Sequence, residues 1–281
     1  MKILVTGATG TVGRALVDRL LESGQQVRAL TRDARNASHR LPPEAEVSEG
    51  NFDDPGSLRA ALEGVDRMYL FSDAGTVHNV MTAVKEAGLD RMAVLTSAVD
   101  SGEIPDSDAR NPVKEQVRES GVDWTFLEPG PFAMNARDWW AYPIREFGVV
   151  RWVYPESRLA SIHEADVADA AAVALLEDDH VGREYTLSGP EALTQAEQVE
   201  VIGRVIGRDL VFQEIGEDEA KTMLARHGVP AVICDWLMTT LASLVGAPAE
   251  VDDSVERITG RPGRTFEQWV ADHADIFRAP A

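Results

Sequence analysis

The chain begins with a short apolar run, a glycine-rich turn and an amphipathic segment, in that order. Residues 3–5 form a continuous apolar run of the kind found in strands that are buried on both faces. Residues 7–13 follow with the spacing G-x-x-G-x-x-G, and apolar residues then recur at helical intervals from 12 to 21. A buried strand that turns through glycines into a helix predicts the first unit of a parallel sheet with helical crossovers.

The three glycines of this turn have separate tasks. Gly7 permits the tight bend, Gly10 lets the backbone approach a pyrophosphate, and Gly13 lets the helix pack closely against the strand. The pyrophosphate would lie at the N terminus of the helix, where free N–H groups and the helix dipole favour an anion. The pattern therefore predicts a dinucleotide site. The residues expected to contact the cofactor here are Gly7, Thr9, Gly10, Thr11 and Val12.

Strand and helix patterns alternate through the first two-thirds of the chain. Further apolar runs predict strands at residues 27–30, 45–47, 68–71, 92–96 and 125–127. Between them, helical patterns cover residues 54–62, 77–87 and 112–120. Asp54 followed by Pro55 has the form of an N-cap with proline at the first helical position. This alternation predicts the α/β class, with a Rossmann-type, doubly wound parallel sheet.

The rhythm changes after residue 129. Residues 130–160 are rich in aromatic side chains and carry few helix signals. A helix is predicted at 165–176 and a strand at 184–187, and capping boxes at Thr194 and Thr265 predict two later helices, the last extending to residue 277. We expect residues 1–130 to form the dinucleotide-binding core. Residues 131–281 are expected to complete that core and to form a smaller substrate-binding lobe, with an interleaved boundary.

Composition and charge restrict the partners. The 281 residues carry a net charge of −20, which argues against nucleic acid or an anionic membrane as a main partner, because each needs a basic surface. One cysteine rules out an internal disulfide and suits a reducing compartment. With no leader or membrane-spanning pattern, we expect a cytoplasmic protein that binds a small molecule. None of the six histidines lies within metal-ligand spacing of another, so no metal site is predicted, and a homo-oligomer is left open.

The end of the second predicted strand bears on the choice of dinucleotide. NAD-specific sites usually have an acid there for the ribose 2′-hydroxyl, whereas this chain has Thr31 followed by Arg32. An arginine can pair with a 2′-phosphate, so the sequence favours NADP(H). Two alternatives stay open: Asp33 is the acid if the register differs by two residues, or Arg32 is a solvated surface charge. Arg14 and Arg35 are further candidate donors.

Several stretches of the chain resemble the NmrA-like branch of the atypical short-chain dehydrogenase/reductases. They are residues 6–13, 27–32, 50–54, 120–130 and 187–191. The stretch 120–130, with the pattern S-G-x-x-W-T-x-L-x-P-G, is more specific to this branch than the glycine turn. The resemblance implies a Rossmann core that binds NADP and a small C-terminal substrate lobe. Members of the family include quinone and azo-type reductases and also cofactor-sensing regulators that do no chemistry.

The resemblance also implies further positions around the cofactor. By this resemblance, Asn51 and Phe52 should flank the adenine. Phe71 and Ser72 should lie along the cofactor, and Pro129 and Gly130 should face the nicotinamide.

The chain departs from the family's pattern at the expected catalytic positions. The superfamily's Y-x-x-x-K pair is absent, because none of the four tyrosines is followed four residues later by lysine. Relatives often carry Lys or His near the position of Arg110, and commonly Arg at the position of Glu128. These departures disfavour a standard proton relay and leave solvent as the candidate proton source.

Other residues are candidates for chemistry or substrate binding. Ser97, at the end of the fifth predicted strand, matches the superfamily's catalytic serine and could hydrogen-bond a substrate carbonyl; equally, it caps the strand or contacts the cofactor ribose. His163 is expected to begin a helix rather than act as an acid. Aromatic residues after 130 could line a flat apolar pocket or simply form core. The substrate-binding candidates are Phe132, Asn135, Trp139 and Trp236.

Two functions are compatible with these patterns. The first is an NADPH-dependent reductase of a small, flat or conjugated carbonyl, quinone-like substrate, acting by direct hydride transfer without a Tyr–Lys pair. The second is a non-catalytic NADP-binding redox sensor that contacts a partner protein, which the missing pair supports. A sugar-nucleotide epimerase is disfavoured, because that chemistry depends on the absent pair.

Overall fold

The short apolar runs of the sequence form the strands of one large sheet and two small ones. The computed structural model describes residues 1–72, 75–96, 111–248 and 250–278. The strands, in chain order, are β1 (Lys2–Val5), β2 (Gln26–Thr31), β3 (Glu46–Glu49), β4 (Arg67–Leu70), β5 (Arg91–Leu95), β6 (Asp123–Pro129), β7 (Val149–Trp152), β8 (Arg158–Leu159), β9 (Arg183–Leu187), β10 (Leu193–Thr194) and β11 (Val211–Glu214).

The large sheet has seven parallel strands in the order β3-β2-β1-β4-β5-β6-β9. The chain first moves outward from β1 to β3 and then returns to the other side of β1 at β4. The connections on the two sides therefore leave β1 and β4 in opposite directions, which opens a crevice at their carboxyl ends. The predicted α/β class and doubly wound Rossmann-type sheet are confirmed.

Helices cover both faces of this sheet and build the rest of the chain. They are α1 (Thr11–Glu22), α2 (Ala34–Ala37), α3 (Pro55–Leu62), α4 (Val77–Ala87), α5 (Asn111–Glu119), α6 (Asn135–Phe147), α7 (Glu164–Leu176), α8 (Gln195–Ile206), α9 (Glu217–Arg226), α10 (Ala231–Ser243), α11 (Ser254–Thr259), α12 (Phe266–Asp272) and α13 (Ala274–Phe277), with a 3₁₀ turn at Asp178–His180.

Alternation along the first strand divides the core between the two faces. Ile3 and Val5 lie in the apolar cluster formed with α1 and α7, whereas Leu4 lies in the cluster formed with α3, α4 and α5. All three side chains are fully buried. A strand with apolar residues at consecutive positions is therefore needed here, because helices cover it on both sides.

The predicted helix starts are confirmed where the signal is local. Asp54 caps α3 by accepting from the Gly56 N–H at 2.9 Å, with Pro55 at the first helical position. Thr194 and Thr265 both form capping boxes, at α8 and α12. His163 begins α7, because its Nδ1 accepts from the Ala165 N–H at 3.1 Å.

Two predictions about helices are wrong. Residues 130–160 include a 13-residue helix, α6. The sequence pattern did not predict it, because Pro143 lies inside it and proline disfavours a helix interior. Its buried positions include Ala136, Trp140 and Ile144, which recur every four residues and so hold one face of the helix on the core. The C-terminal helix predicted to reach residue 277 is interrupted at His273, and α12 and α13 are separate.

The later elements form a second apolar core. Parallel strands β7 and β11 pair with each other, and α6, α8, α9, α10, α12 and α13 contribute to the same cluster. Trp140, Trp152, Trp269 and Phe277 fill it, each with 2% exposure or less. The chain also returns to the first core after residue 130, because α7 packs on α1 and β9 extends the large sheet.

Buried acids on α7 connect the two cores. Asp166 and Asp169 are buried and form ion pairs with Arg264, and Arg19 of α1 reaches Asp169 at 3.0 Å. Glu164 accepts from the Trp269 Nε1–H at 3.0 Å, and its other oxygen lies 2.6 Å from His273 Nε2. Helix α7 therefore joins α1 to the C-terminal segment through buried carboxylates.

The environment of Glu164 sets a stability prediction. Burial raises the pKa of Glu164, but the hydrogen bond with His273 and the nearby His163 outweigh it and bring the pKa below the ordinary 4.5. A group with a lowered folded-state pKa stabilises the fold above its unfolded-state pKa, and this contribution is lost as the pH falls through the folded-state value. We expect Glu164→Gln to lower the free energy of unfolding at pH 7 by about 1–3 kcal/mol.

Urea denaturation at several pH values measures this effect. The difference in free energy of unfolding between wild type and Glu164→Gln should be full at pH 7 and should narrow below about pH 4.5, where the unfolded chain begins to protonate Glu164. It should close as the pH falls through the lower folded-state pKa. Glu267→Gln is the matched control, because Glu267 is exposed and its ion pair with Arg204 should contribute less than about 1 kcal/mol. Equal losses in the two variants would show that the buried contacts of Glu164 do not hold the lobe.

Candidate active site

The glycine turn after β1 brings the backbone of α1 against the backbone of the turn itself. Gly7 has φ of 59°, and its carbonyl accepts from the Gly10 N–H at 2.8 Å. A Cβ at Gly13 would lie 2.2 Å from the Gly7 carbonyl oxygen, whereas a Cβ at Gly10 would lie 3.1 Å from the same atom. Gly13 is therefore needed for the close packing of α1 against the turn, and Gly10 leaves an open backbone surface beside the helix start.

The first turn of α1 is suited to an anion. Gly10 is the N-cap and supplies no side-chain hydrogen bond, and the first turn contains no acidic residue. The leading N–H groups, at Thr11 and Val12, have no intrahelical acceptor, as at any helix start. These groups and the helix dipole fit the pyrophosphate of a dinucleotide, and a carboxylate that would repel it is absent from this turn.

A buried threonine ties this turn to the end of β4. The Thr6 hydroxyl donates to the Tyr69 carbonyl at 3.1 Å and accepts from the Phe71 N–H at 2.8 Å. The Phe71 ring consequently lies beside the turn, with Cδ1 3.8 Å from the position of a Cβ on Gly7, and 51% of the residue is exposed. The structure thus brings Gly7 and Phe71 together at the crevice, with half-buried Ser72 next in the chain.

The strand β2 is followed by an exposed arginine and by an aspartate that caps the next helix. Asp33 caps α2 by accepting from the Asn36 N–H at 3.0 Å, so its carboxylate is used by the helix. Arg32 is the first residue after β2 and is exposed. Within the described residues, Arg32, Arg14 and Arg35 form no ion pair. The exposed Arg32 guanidinium is therefore available to pair with a phosphate at this end of the crevice. Arg14 also interacts electrostatically with Asp18 of its own helix, and Glu49 accepts from the Ala34 N–H at 3.2 Å at the start of α2.

The turn after β3 is held rigidly. Asn51 Oδ1 accepts from the backbone N–H groups of Asp53, at 2.5 Å, and Asp54, at 3.1 Å. Phe52 is half-buried against the cluster of α3, α4 and α5. Asn51 itself is exposed, so this turn offers its backbone and the Asn51 side chain to the crevice.

The carboxyl end of β6 forms the opposite side of the crevice. Pro129 is buried at the end of the strand, and the Gly130 N–H donates to the Leu187 carbonyl at 2.9 Å. Phe132 follows, bridged to Ile162 and packed against both cores. Ser97 and Arg110, which the sequence singled out, lie outside the described residues. Ser97 therefore stays a prediction.

Beside this edge, Glu128 is engaged in an ion pair that sequence reasoning missed. Glu128 Oε1 contacts Lys114 Nζ and lies 3.4 Å from the Thr96 hydroxyl, and Lys114 also contacts Glu184 at 3.0 Å. Burial lowers the pKa of Lys114, but its two carboxylate partners raise it above the ordinary value. Lys114 is therefore held protonated and shared between two acids, which makes it a poor proton donor. No sequence spacing signals this pair.

The predicted substrate residues occupy different places. Asn135 is the first residue of α6; its N–H donates to the Phe132 carbonyl at 3.1 Å, and its half-buried amide makes no hydrogen bond with a described residue. Trp139 stacks on Trp152, with ring centroids 5.4 Å apart, in the second core. Trp236 is half-buried on α10. Phe132 and Asn135 are thus brought together at the crevice edge, whereas Trp139 also serves as core.

Across residues 1–72, 75–96, 111–248 and 250–278, no group of three or more His, Cys, Asp or Glu side chains is placed to hold a metal ion. In those ranges no helix has both the length and the apolar character needed to cross a bilayer.

Comparison with known families identifies the cofactor. Residues 7–179 match the sequence model of the NAD(P)H-binding family. The chain belongs to this family. The predicted nicotinamide dinucleotide cofactor and the resemblance to atypical short-chain dehydrogenase/reductases are thereby confirmed, and the glycine turn described above lies at the start of the matched region.

Full-length relatives within the family are named as reductases. The chain is 39% identical to (4-alkanoyl-5-oxo-2,5-dihydrofuran-3-yl)methyl phosphate reductase of Streptomyces griseus, over 98% of this chain and 99% of the relative. It is 33% identical to NAD(P)H azoreductase of Xenophilus azovorans, over 99% of both chains. The NADPH-dependent quinone oxidoreductase of Escherichia coli, solved with NADPH, superimposes with a TM-score of 0.79 at 25% identity, over 97% of this chain and 98% of that one.

Substitutions at Gly10 and Gly13, the two glycines beside the Gly7 carbonyl, should have separate effects on stability and on NAD(P)H binding. Gly13→Ala places a Cβ against backbone and should cost about 1–3 kcal/mol of stability or more. Gly10→Ala needs a shift of only a few tenths of an ångström, so its stability should stay within about 1 kcal/mol of wild type. The added methyl group should nevertheless weaken NADPH binding by roughly tenfold or more, because it occupies the path of the pyrophosphate.

Thermal denaturation and fluorescence titration with NADPH test the two variants. If Gly10→Ala bound NADPH as tightly as wild type does, the pyrophosphate would not lie over this turn.

Proposed function

We propose that the chain is an NADPH-dependent reductase of small, flat, conjugated compounds, with quinones and unsaturated lactones as the first candidates. The observation that carries this proposal is an intact cofactor cradle, from Thr6 to Gly13 with Phe71 beside it, in a chain similar over its whole length to named reductases. The three relatives named above are a butenolide, an azo and a quinone reductase. Their substrates share an electron-poor π system that can accept a hydride.

The choice of NADPH over NADH rests on the turn after β2. Asp33 is committed to capping α2, which leaves Arg32 as the charged group free to meet the 2′ position of the adenosine ribose. Arg14 and Arg35 are exposed on neighbouring elements and strengthen the positive potential there. We propose Arg32 as the main 2′-phosphate ligand and the other two as secondary donors.

Each end of the crevice has a proposed task in the reaction. Residues 7–12 hold the pyrophosphate, Asn51 and Phe52 flank the adenine, Phe71 and Ser72 lie along the cofactor, and Pro129 and Gly130 support the nicotinamide. When bound, NADPH supplies the hydride. Phe132 offers an apolar surface to the substrate, and the uncommitted amide of Asn135 is placed to donate to a substrate oxygen. We propose residues 131–281 as the region that completes the core and forms the substrate lobe.

The proton that follows the hydride is proposed to come from solvent. Lys114, which contacts Glu128 of β6, is shared by Glu128 and Glu184 and stays protonated. A reduced quinone or an enolate takes up a proton readily from water, so such substrates need no dedicated acid. Ser97 is proposed as the donor that stabilises negative charge on the carbonyl oxygen during hydride transfer.

Cofactor preference should follow Arg32. We expect Arg32→Ala to weaken NADPH binding by about 1–3 kcal/mol, the range for a hydrogen bond to a charged group, and to leave NADH binding nearly unchanged. Asp33→Asn is the matched control, because asparagine also caps helices and the substitution should preserve the preference. Titration of both dinucleotides against all three proteins measures this. Equal losses for NADPH and NADH in Arg32→Ala would remove Arg32 from the 2′-phosphate site.

Loss of the Ser97 hydroxyl should affect turnover much more than it affects the affinity for NADPH. Ser97→Ala should reduce the rate of NADPH oxidation by a quinone about 10- to 1000-fold, the scale of losing one oxyanion donor, and should leave the NADPH dissociation constant largely intact. The assay follows NADPH absorbance with a panel of quinones and unsaturated lactones. A wild-type protein that binds NADPH but reduces nothing in the panel would favour the redox sensor over the reductase.

A further inference from the structure

One side chain joins α4 to the turn after β3. Asn79, in the first turn of α4, donates from Nδ2 to the Phe52 carbonyl at 3.0 Å. Its own N–H donates to Thr76, and the side chain is half-buried. Because β4 and β3 both end at the carboxyl edge of the sheet, Asn79 spans the space between their exits. Sequence reasoning gave no signal for it, since an asparagine in a helical pattern is unremarkable.

The hydrogen bond to Phe52 fixes which way the amide faces. A carbonyl oxygen only accepts, so the NH₂ group of Asn79 must be directed to Phe52, and Oδ1 must be directed away from it. Among the residues that the structure describes, none donates a hydrogen bond to Asn79 Oδ1. A half-buried amide oxygen without a donor is a ready acceptor for a ligand.

The other asparagine of this region has no such free oxygen. Asn51 Oδ1 already accepts from two backbone N–H groups, those of Asp53 and Asp54. An amide oxygen has two lone pairs, so the acceptor capacity of Asn51 is used within its own turn. Asn79 is therefore the better acceptor at the place where the adenine of the proposed function would lie.

Adenine carries a hydrogen-bond donor that few other purines present at the same position. Its exocyclic N6 amine donates, and an asparagine amide is the side chain that pairs with it most directly. We propose that Asn79 Oδ1 accepts a hydrogen bond from the N6 amine of the cofactor's adenine, which makes Asn79 a base-specificity residue of the dinucleotide site. This inference rests on the proposed placement of the adenine beside Asn51 and Phe52.

A cofactor analogue that differs only in the base tests the proposal. Reduced nicotinamide hypoxanthine dinucleotide phosphate has a carbonyl oxygen where NADPH has the N6 amine, so it would set two acceptors against each other. Fluorescence titration of each dinucleotide gives two dissociation constants and their ratio. The wild type should bind NADPH about tenfold more tightly than the analogue, as expected for one hydrogen bond replaced by an unfavourable contact.

Two substitutions separate base recognition from positioning of the turn. Asn79→Leu removes the acceptor and the Phe52 contact, so binding should weaken and the ratio should fall to about one. Asn79→Asp keeps an acceptor but cannot donate to Phe52, so both affinities should fall while the preference for NADPH survives. Thr82→Ala, an exposed site on the same helix, should change neither affinity nor ratio.

A ratio near one in Asn79→Leu, with the preference kept in Asn79→Asp and in Asn51→Ala, supports the inference. A tenfold preference that survives in Asn79→Leu, or disappears in Asn79→Asp or Asn51→Ala, overturns it. If Asn79→Leu does not fold, Asn79→Asp decides alone. A wild type that binds both dinucleotides equally overturns only this inference, whereas one that binds neither overturns the proposed function as well.

Discussion

The close approach between Gly13 and the Gly7 carbonyl is the contact on which the cofactor site depends. A single methyl group at Gly13 would lie 2.2 Å from that oxygen, so α1 can reach the turn only without a side chain there. This approach sets the direction of α1, and with it the position of the N–H groups that meet a pyrophosphate. The Thr6 hydroxyl then transmits the placement to β4, because it holds the backbone of Phe71 beside the same turn.

The second constraint is electrostatic and lies behind the crevice. Helix α7 carries three buried acids. Asp166 and Asp169 pair with arginines of α1 and of the segment before α12, and Glu164 contacts Trp269 and His273. Removing such charges from water is costly, and the cost is offset only when every partner is in place. The C-terminal segment is thereby fixed relative to the cofactor helix. Ile162, just before α7, bridges to Phe132, so the same fixation supports the residues proposed to meet the substrate.

Local signals account for the parts of the structure that the sequence predicted well. The Asp54 cap and the capping boxes at Thr194 and Thr265 act within about four residues and the glycine turn within seven, so residues close together in the chain are sufficient to recognise them. Helix α6 was missed because Pro143 is a local signal against helix, while the burial of Trp140 and Ile144 that stabilises α6 comes from elements far along the chain. His273 interrupts the last helix beside Glu164, a residue 109 positions away.

The sequence by itself determined the α/β class and the dinucleotide turn, because these follow from periodicity and from glycines at fixed spacing. The expectation of a nicotinamide cofactor came from Arg32 after the second strand and from the resemblance to a known family. Only the tertiary structure decided which polar and charged groups are free and which are engaged. Asp33 is used by α2, Glu128 and Lys114 neutralise each other, and Asn79 is turned toward Phe52. The reason is physical: the availability of a side chain depends on its partners, and partners separated by many residues meet only when the sheet has formed.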